Sequence, residues 1–175
     1  MGLQLIFVVE TNRQCNSDWI YIKDAIEHFY QYEKSQLKFS PVYMDGKGKY
    51  RQKEKQINQL KKQYNSQTQN NDTKVIYCFD CDNYDTNAQE SIFLETAKKY
   101  CEERNYEFVW FCKDIEQVFI GQQISNSQKK NEAVKFKRQN QIQSVDHDRL
   151  LSTTFRQGYS NFMMVLDNIE GMNRV

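Results

Sequence analysis

Two short apolar runs limit what this chain can fold into more than any other feature. LQLIFVV, Leu3 to Val9, and VIYCF, Val75 to Phe79, are nearly continuous in apolar residues, as strands covered on both faces are. Both run directly into acid. The first ends on Glu10; the second ends on Asp80, with Asp82 and Asp85 close behind. Between and after them the pattern alternates. Ile22, Ala25, Ile26, Phe29 and Tyr30 recur at helical spacing, with Ser17 placed as N-cap and Asp18 in the first turn. Phe39 and Pro41 to Met44 give a second strand, and Pro41, lacking an N–H, marks it as an edge. A turn through Gly46 and Gly48 leads into a helix with Tyr50, Ile57, Leu60 and Tyr64 on one side. After the Asp80 strand come a third helix, about Ala88 to Arg104, a fourth strand, Tyr106 to Phe111, and a short helix through Ile115, Val118 and Phe119.

This β-α alternation predicts an α/β sandwich of Rossmann-like type, with right-handed crossovers and helices on both faces. Counting the predicted strands along the chain, a Pro-marked edge gives a four-stranded, mostly parallel sheet of order 2-1-3-4. The core spans residues 1–121. Residues 122–144, rich in Gln, Asn, Ser and Lys, read as a polar basic loop, and 145–175 as a C-terminal extension of helices packing on the core. At 175 residues the whole is the size of one domain.

A formal charge of +1 excludes an overall field that would draw in nucleic acid, so any such surface must be local. The first nine residues lack the basic leader and cleavage site of a signal peptide, and no apolar run approaches the ~20 residues that span a bilayer, so a cytoplasmic location without membrane contact is expected. Five irregularly spaced cysteines suit reduced thiols better than a disulfide framework. Cys78-x-x-Cys81 has neither the second ligand pair of a zinc site nor the helix N-terminus of a redox motif, and reads as two buried thiols.

In the predicted order, strands one and three are neighbours at the point where the strand order reverses, where open α/β sheets bind ligands. Parallel neighbours lie about 4.8 Å apart, so Glu10, Asp80 and Asp82 converge on one rim. Carboxylates so close repel one another unless a cation lies between them, and Mg²⁺ or Mn²⁺ suits hard oxygen ligands. The alternative is a turn: Asp82, Asn83 and Asp85 have the chemistry that starts one. Asp85 is assigned to that turn. Lys47, Lys49 and Arg51 follow the second strand on the same rim, and Lys129, Lys130, Lys135, Lys137 and Arg138 crowd the 122–144 segment; both groups are candidates for phosphate contact or simply a solvated face. His28 and His147 are read as structural or exposed.

The order strand-Glu, helix, strand, helix, strand-Asp-x-Asp, helix, strand resembles the TOPRIM domain of topoisomerases, primases and OLD-type nucleases. Among small members it is most similar to RloB-like and related phage-defence proteins. The likeness rests on IFVVE with Glu10, CFDCD with Asp80 and Asp82, and more loosely DIEQVF with Glu116. It implies a TOPRIM-type fold and Mg²⁺- or Mn²⁺-dependent phosphodiester chemistry on DNA or RNA, with Glu10, Asp80 and Asp82 catalytic and Glu10, Asp80, Asp82 and Glu116 holding metal. Relatives follow the first Glu with Gly and a second acid; here Thr11 follows and the nearest acid is Asp18. Without a domain carrying an attacking tyrosine, water is the expected nucleophile. Two other readings stay open: a non-catalytic interaction subunit that binds a partner protein, and a phosphatase similar to the haloacid dehalogenases, whose Asp-x-Asp also follows a strand.

Overall fold

Side chains of β1 (Leu3–Val9) alternate between two cores, Leu5, Phe7 and Val9 entering one and Ile6 and Val8 the other. That alternation is the period-2 geometry of a strand covered on both faces. The computed structural model describes residues 2–175. β1 pairs in parallel with β3 (Leu37–Tyr43) on one side and β4 (Asp72–Asp80) on the other, and β4 pairs in parallel with β5 (Glu107–Cys112). Pro41 lies on β3, opposite Phe7, at the sheet's edge, where its missing N–H leaves no ladder bond unmade.

The sheet is five-stranded, of order β3-β1-β4-β5-β6, which corrects the expected four strands. The added β6 (Tyr159–Ser160) runs antiparallel against Phe111 and Cys112. Two residues are too few to show a strand period in sequence. A separate two-stranded sheet joins β2 (Tyr30–Gln31) to β7 (Asn173–Arg174).

Helices cover both faces. On the first lie α1 (Ser17–Phe29), α4 (Ile115–Phe119), α5 (Lys129–Arg138) and α6 (Phe162–Leu166), whose apolar residues share one core with Phe7 and Phe111. On the second, a 3₁₀ turn (Lys47–Lys53), α2 (Glu54–Asn65) and α3 (Ala88–Glu103) pack on Ile6, Tyr77 and Phe79. Among the described residues no helix is long and apolar enough to cross a membrane.

Two expectations change beyond residue 121. The segment 122–144 contains the ten-residue helix α5 rather than a loop. Its apolar stripe is only Ala133 and Phe136, both buried, with the Phe136 ring edge-on to Tyr21 and Phe119. The C-terminal extension carries one short α-helix, α6, instead of two. The stretch expected to continue from Leu150 as a helix is instead drawn across the sheet edge, Gly158 donating to the Cys112 carbonyl and Ser152 to that of Ser160. The extension still completes the first core with Leu150, Phe162, Met163, Leu166, Ile169 and Met172.

Candidate metal centre

β1 and β4 end side by side, and their acids meet there. Glu10 Oε1 accepts from the Asp80 amide at 2.8 Å, so the first strand's terminal side chain caps its neighbour's backbone. Asp80 is 7% exposed, and its Oδ1 accepts from the Ile115 amide at the start of α4 at 3.0 Å. Asp18, in the first turn of α1, is buried; its Oδ2 accepts from the Thr11 amide at 3.2 Å. Glu116, the second residue of α4, is fully buried. Loops leaving the carboxyl ends of parallel strands thus bring Glu10, Asp18, Asp80 and Glu116 into one neighbourhood, facing one another electrostatically.

Burial and mutual repulsion make these acids hard to ionise. Burial, reinforced by the Asp18 charge, pushes Glu10 up to about 8, against the pull of the Asp80 amide. Burial, with Glu10, Asp18 and Glu116 adding, holds Asp80 well above the usual carboxylate range. Asp18 is raised by burial, opposed by Lys129. Glu116 is pushed by burial to about 7, Lys129 again opposing.

Several oxygens here are left without hydrogen-bond partners although no solvent reaches them: Thr11 Oγ1, Asp18 Oδ1, Tyr21 Oη and both carboxylate oxygens of Glu116. Buried polar atoms are rarely orphaned, and orphaned anionic oxygens ask for a cation. Two ammonium groups answer in part. Lys129 Nζ lies 3.5 Å from Glu116 Oε2 and also faces Asp18 and Asp80. Lys47 bridges Asp82 and Glu90 and faces Glu10. Six carboxylates, Glu10, Asp18, Asp80, Asp82, Glu90 and Glu116, therefore share two lysines.

Asp82 differs from its companions. Its side chain is 42% exposed, it pairs with Lys47, and its φ of 47° is a turn conformation that Asp and Asn tolerate. The segment behind it is a real turn, closed by Tyr84 N to the Cys81 carbonyl and Asn87 N to that of Asn83. Asp85 pairs with Lys113, and Asn87 caps α3. Asp80 lies in the acidic cluster; Asp82 sits at its margin.

Most of the basic residues expected to face phosphate are engaged by the chain itself. Besides Lys47 and Lys129, Lys49 pairs with Asp45, Lys135 with Glu132 and Lys137 with Glu27, while Lys130 donates to the Gln14 carbonyl. Arg51 stacks on Tyr50 and Tyr100. Arg138, at the end of α5, is exposed.

A second group lies on the surface. Asp146, His147 and Asp148, all exposed, offer ligand atoms within 4.8 Å of one another, a set able to hold a divalent cation. Among the described residues no other three acids, histidines or cysteines come so close together, so the buried carboxylates stand further apart than a closed coordination shell requires. VDHDR carried the signal for the exposed group; burial of Asp18 and the inward turn of Lys129 left none. Compared with protein-family models, curated proteins and solved structures, the chain has no match.

Proposed function

We propose that this chain is a TOPRIM-like hydrolase of phosphodiester bonds in DNA or RNA, dependent on Mg²⁺ or Mn²⁺, that serves in a defence system. The observation that carries this reading is the buried acidic cluster beside the rim where β1 and β4 lie together, in which Asp18 Oδ1 and both Glu116 carboxylate oxygens lack hydrogen-bond partners. Glu10, Asp80 and Glu116 would hold the cation, with Asp82 at the solvent side and Asp18 beside them, which requires the acids to draw in from the wider spacing they have without an ion. All are oxygen donors, the choice of hard divalent ions. When bound, such an ion neutralises phosphate oxygens and lowers the pKa of water enough to make it a nucleophile near neutral pH.

The chain's own residues supply the rest. Burial and the Asp18 charge hold the Glu10 carboxyl above the usual carboxylate range in the metal-free chain, the direction that suits a general acid or base, and a bound cation would pull it down again. The Asp80 amide fixes its Oε1 and leaves Oε2 either for the cation or for proton exchange. Lys129 and Lys47 hold positive charge at opposite sides of the cluster, where a phosphate can take up part of the pairing now given to Glu116 and Asp82. Lys49, Arg51, Lys130, Lys135, Lys137 and Arg138 would extend this surface along the backbone. Except at Arg138, each such contact requires exchanging an internal partner for a phosphate, so affinity without metal should be weak.

The test is cleavage of single- and double-stranded DNA and RNA in Mn²⁺ or in chelator, with wild type, Glu10→Gln and Asp80→Asn. Cleavage that needs Mn²⁺ and is lost in both variants is the expected result. Cleavage unaffected by either substitution would refute the site. A second reading, a partner-binding subunit on this fold, has its own support: the internally paired bases, and a hollow of about 660 Å³ lined by Trp110, Phe155 and Met164. It predicts a protein that cuts nothing. The haloacid-dehalogenase-like reading has weaker support, since the motif lies on the third long strand rather than the first.

A further inference from the structure

The cysteine that matters to Cys81 is not Cys78. An odd spacing along a strand sends the two to opposite faces, Cys78 into the α1 core and Cys81 into the α3 core. Cys81 instead faces Cys112. The β4–β5 register runs Phe79 to Trp110 and Asp80 to Phe111, and the Cys81 amide donates to the Phe111 carbonyl at 2.9 Å, which continues the ladder and sets Cys81 opposite Cys112. Both side chains enter the same core, and both are free thiols. Directly opposed residues on parallel neighbours have Cα atoms about 4.8 Å apart, inside the roughly 4.4–6.8 Å that a disulfide spans.

We infer that Cys81 and Cys112 are a redox modification site, a vicinal thiol pair that a peroxide converts to an intramolecular cross-strand disulfide. In the first step one sulfur attacks a peroxide oxygen; the O–O bond breaks, a sulfenic acid forms and water leaves. In the second, the other sulfur attacks that sulfenic sulfur, the S–S bond forms and a second water leaves. The two thiols lose two electrons and two protons, and hydrogen peroxide becomes two waters.

Both thiols are fully buried, so an oxidant reaches them only when the chain opens locally. The pair lies at the carboxyl ends of both strands, where the ladder gives way to the Asp82 turn, so opening the 82–87 turn exposes it to a water-sized oxidant without unfolding the sheet. The link would fasten the Asp80–Asp82 segment to β5. The inference stands on the register alone and does not depend on the hydrolase reading.

The test uses the full chain carrying Cys15→Ser, which removes the half-buried cysteine and keeps four of the five. Treatment with hydrogen peroxide should lower its free thiols from four to two and its mass by two hydrogens, reversibly with dithiothreitol. Trypsin leaves Cys78 and Cys81 on one peptide and Cys112 on another, so backbone fragmentation between Phe79 and Asp80 of the linked pair assigns the bond. Adding Cys112→Ser should abolish the link. Four surviving thiols, a bond to Cys78 or Cys101, or oxidation that dithiothreitol does not reverse would overturn the inference.

Discussion

Asp80 and Asp82 are separated by one residue and differ in kind. Asp80 is buried among Glu10, Asp18 and Glu116, so removing its charge relieves repulsion, while an amide oxygen can still accept from Ile115. Asp80→Asn is therefore expected to leave the melting temperature of the metal-free protein unchanged or higher, by calorimetry in chelator. Asp82→Asn loses a half-exposed pair with Lys47 and keeps a residue that tolerates positive φ, so it should cost at most about 1 kcal/mol. A large loss at Asp80 would mean that its carboxylate is structural. Glu10 and Glu116 add a pH dependence. Each has a folded pKa above its ordinary value of 4.5, so the stability each contributes is complete below that value and is lost as pH rises to about 8 for Glu10 and about 7 for Glu116. Denaturant midpoints of the metal-free protein should fall between pH 5 and 8 on account of these groups, and in Glu10→Gln the fall should be shallower. At this scale Glu10 and Asp80 were legible because each directly follows an apolar run. Asp18 was not, since an acid in a first helical turn usually only complements the helix dipole, and sequence does not tell a buried one from an exposed one.

Helix α5 is the element where sequence and structure part most. Its basic residues dominate the pattern, and the apolar pair Ala133 and Phe136 is too narrow a stripe to announce a buried face. Phe136 is nonetheless fully buried and packs edge-on against the stacked Tyr21 and Phe119 rings, so Phe136→Ala should cost about 3–5 kcal/mol by denaturant titration. If the segment were a loop, the cost would be within about 0.5 kcal/mol. The same helix delivers Lys129 to Glu116, which is fully buried. Removing one partner of a buried pair costs up to about 3–5 kcal/mol, less whatever the orphaned acid recovers by taking a proton. Lys129→Met should therefore destabilise more at pH 8, where Glu116 is ionised, than at pH 6, where much of it is neutral. Equal losses at both pH values would show that Lys129 acts through packing.

Across the whole molecule, one sheet separates two cores, and that plan was legible because the first nine residues and the Asp80 strand read as covered on both faces. The last fifth was less so. Its path is set by hydrogen bonds to the β5 edge, from the Gly158 amide to Cys112 and from the Ser160 and Asn161 side chains to Trp110 and Phe108, and such bonds leave no hydropathy period in the sequence. Two acidic groups are candidates for a divalent ion: the exposed Asp146–His147–Asp148 group, whose ligand atoms lie close together, and the buried carboxylates beside the β1–β4 rim that the proposed function invokes. A Mn²⁺ titration followed by thermal melting separates them in three proteins: wild type, Asp80→Asn, and the double variant Asp146→Asn with Asp148→Asn. Saturation at a hundredfold excess over Kd stabilises by about 2.7 kcal/mol, roughly 5–10 °C for a chain this size. The account predicts that rise in wild type and in the double variant, and its loss in Asp80→Asn. No rise in wild type, or a rise that survives Asp80→Asn and disappears in the double variant, would contradict it.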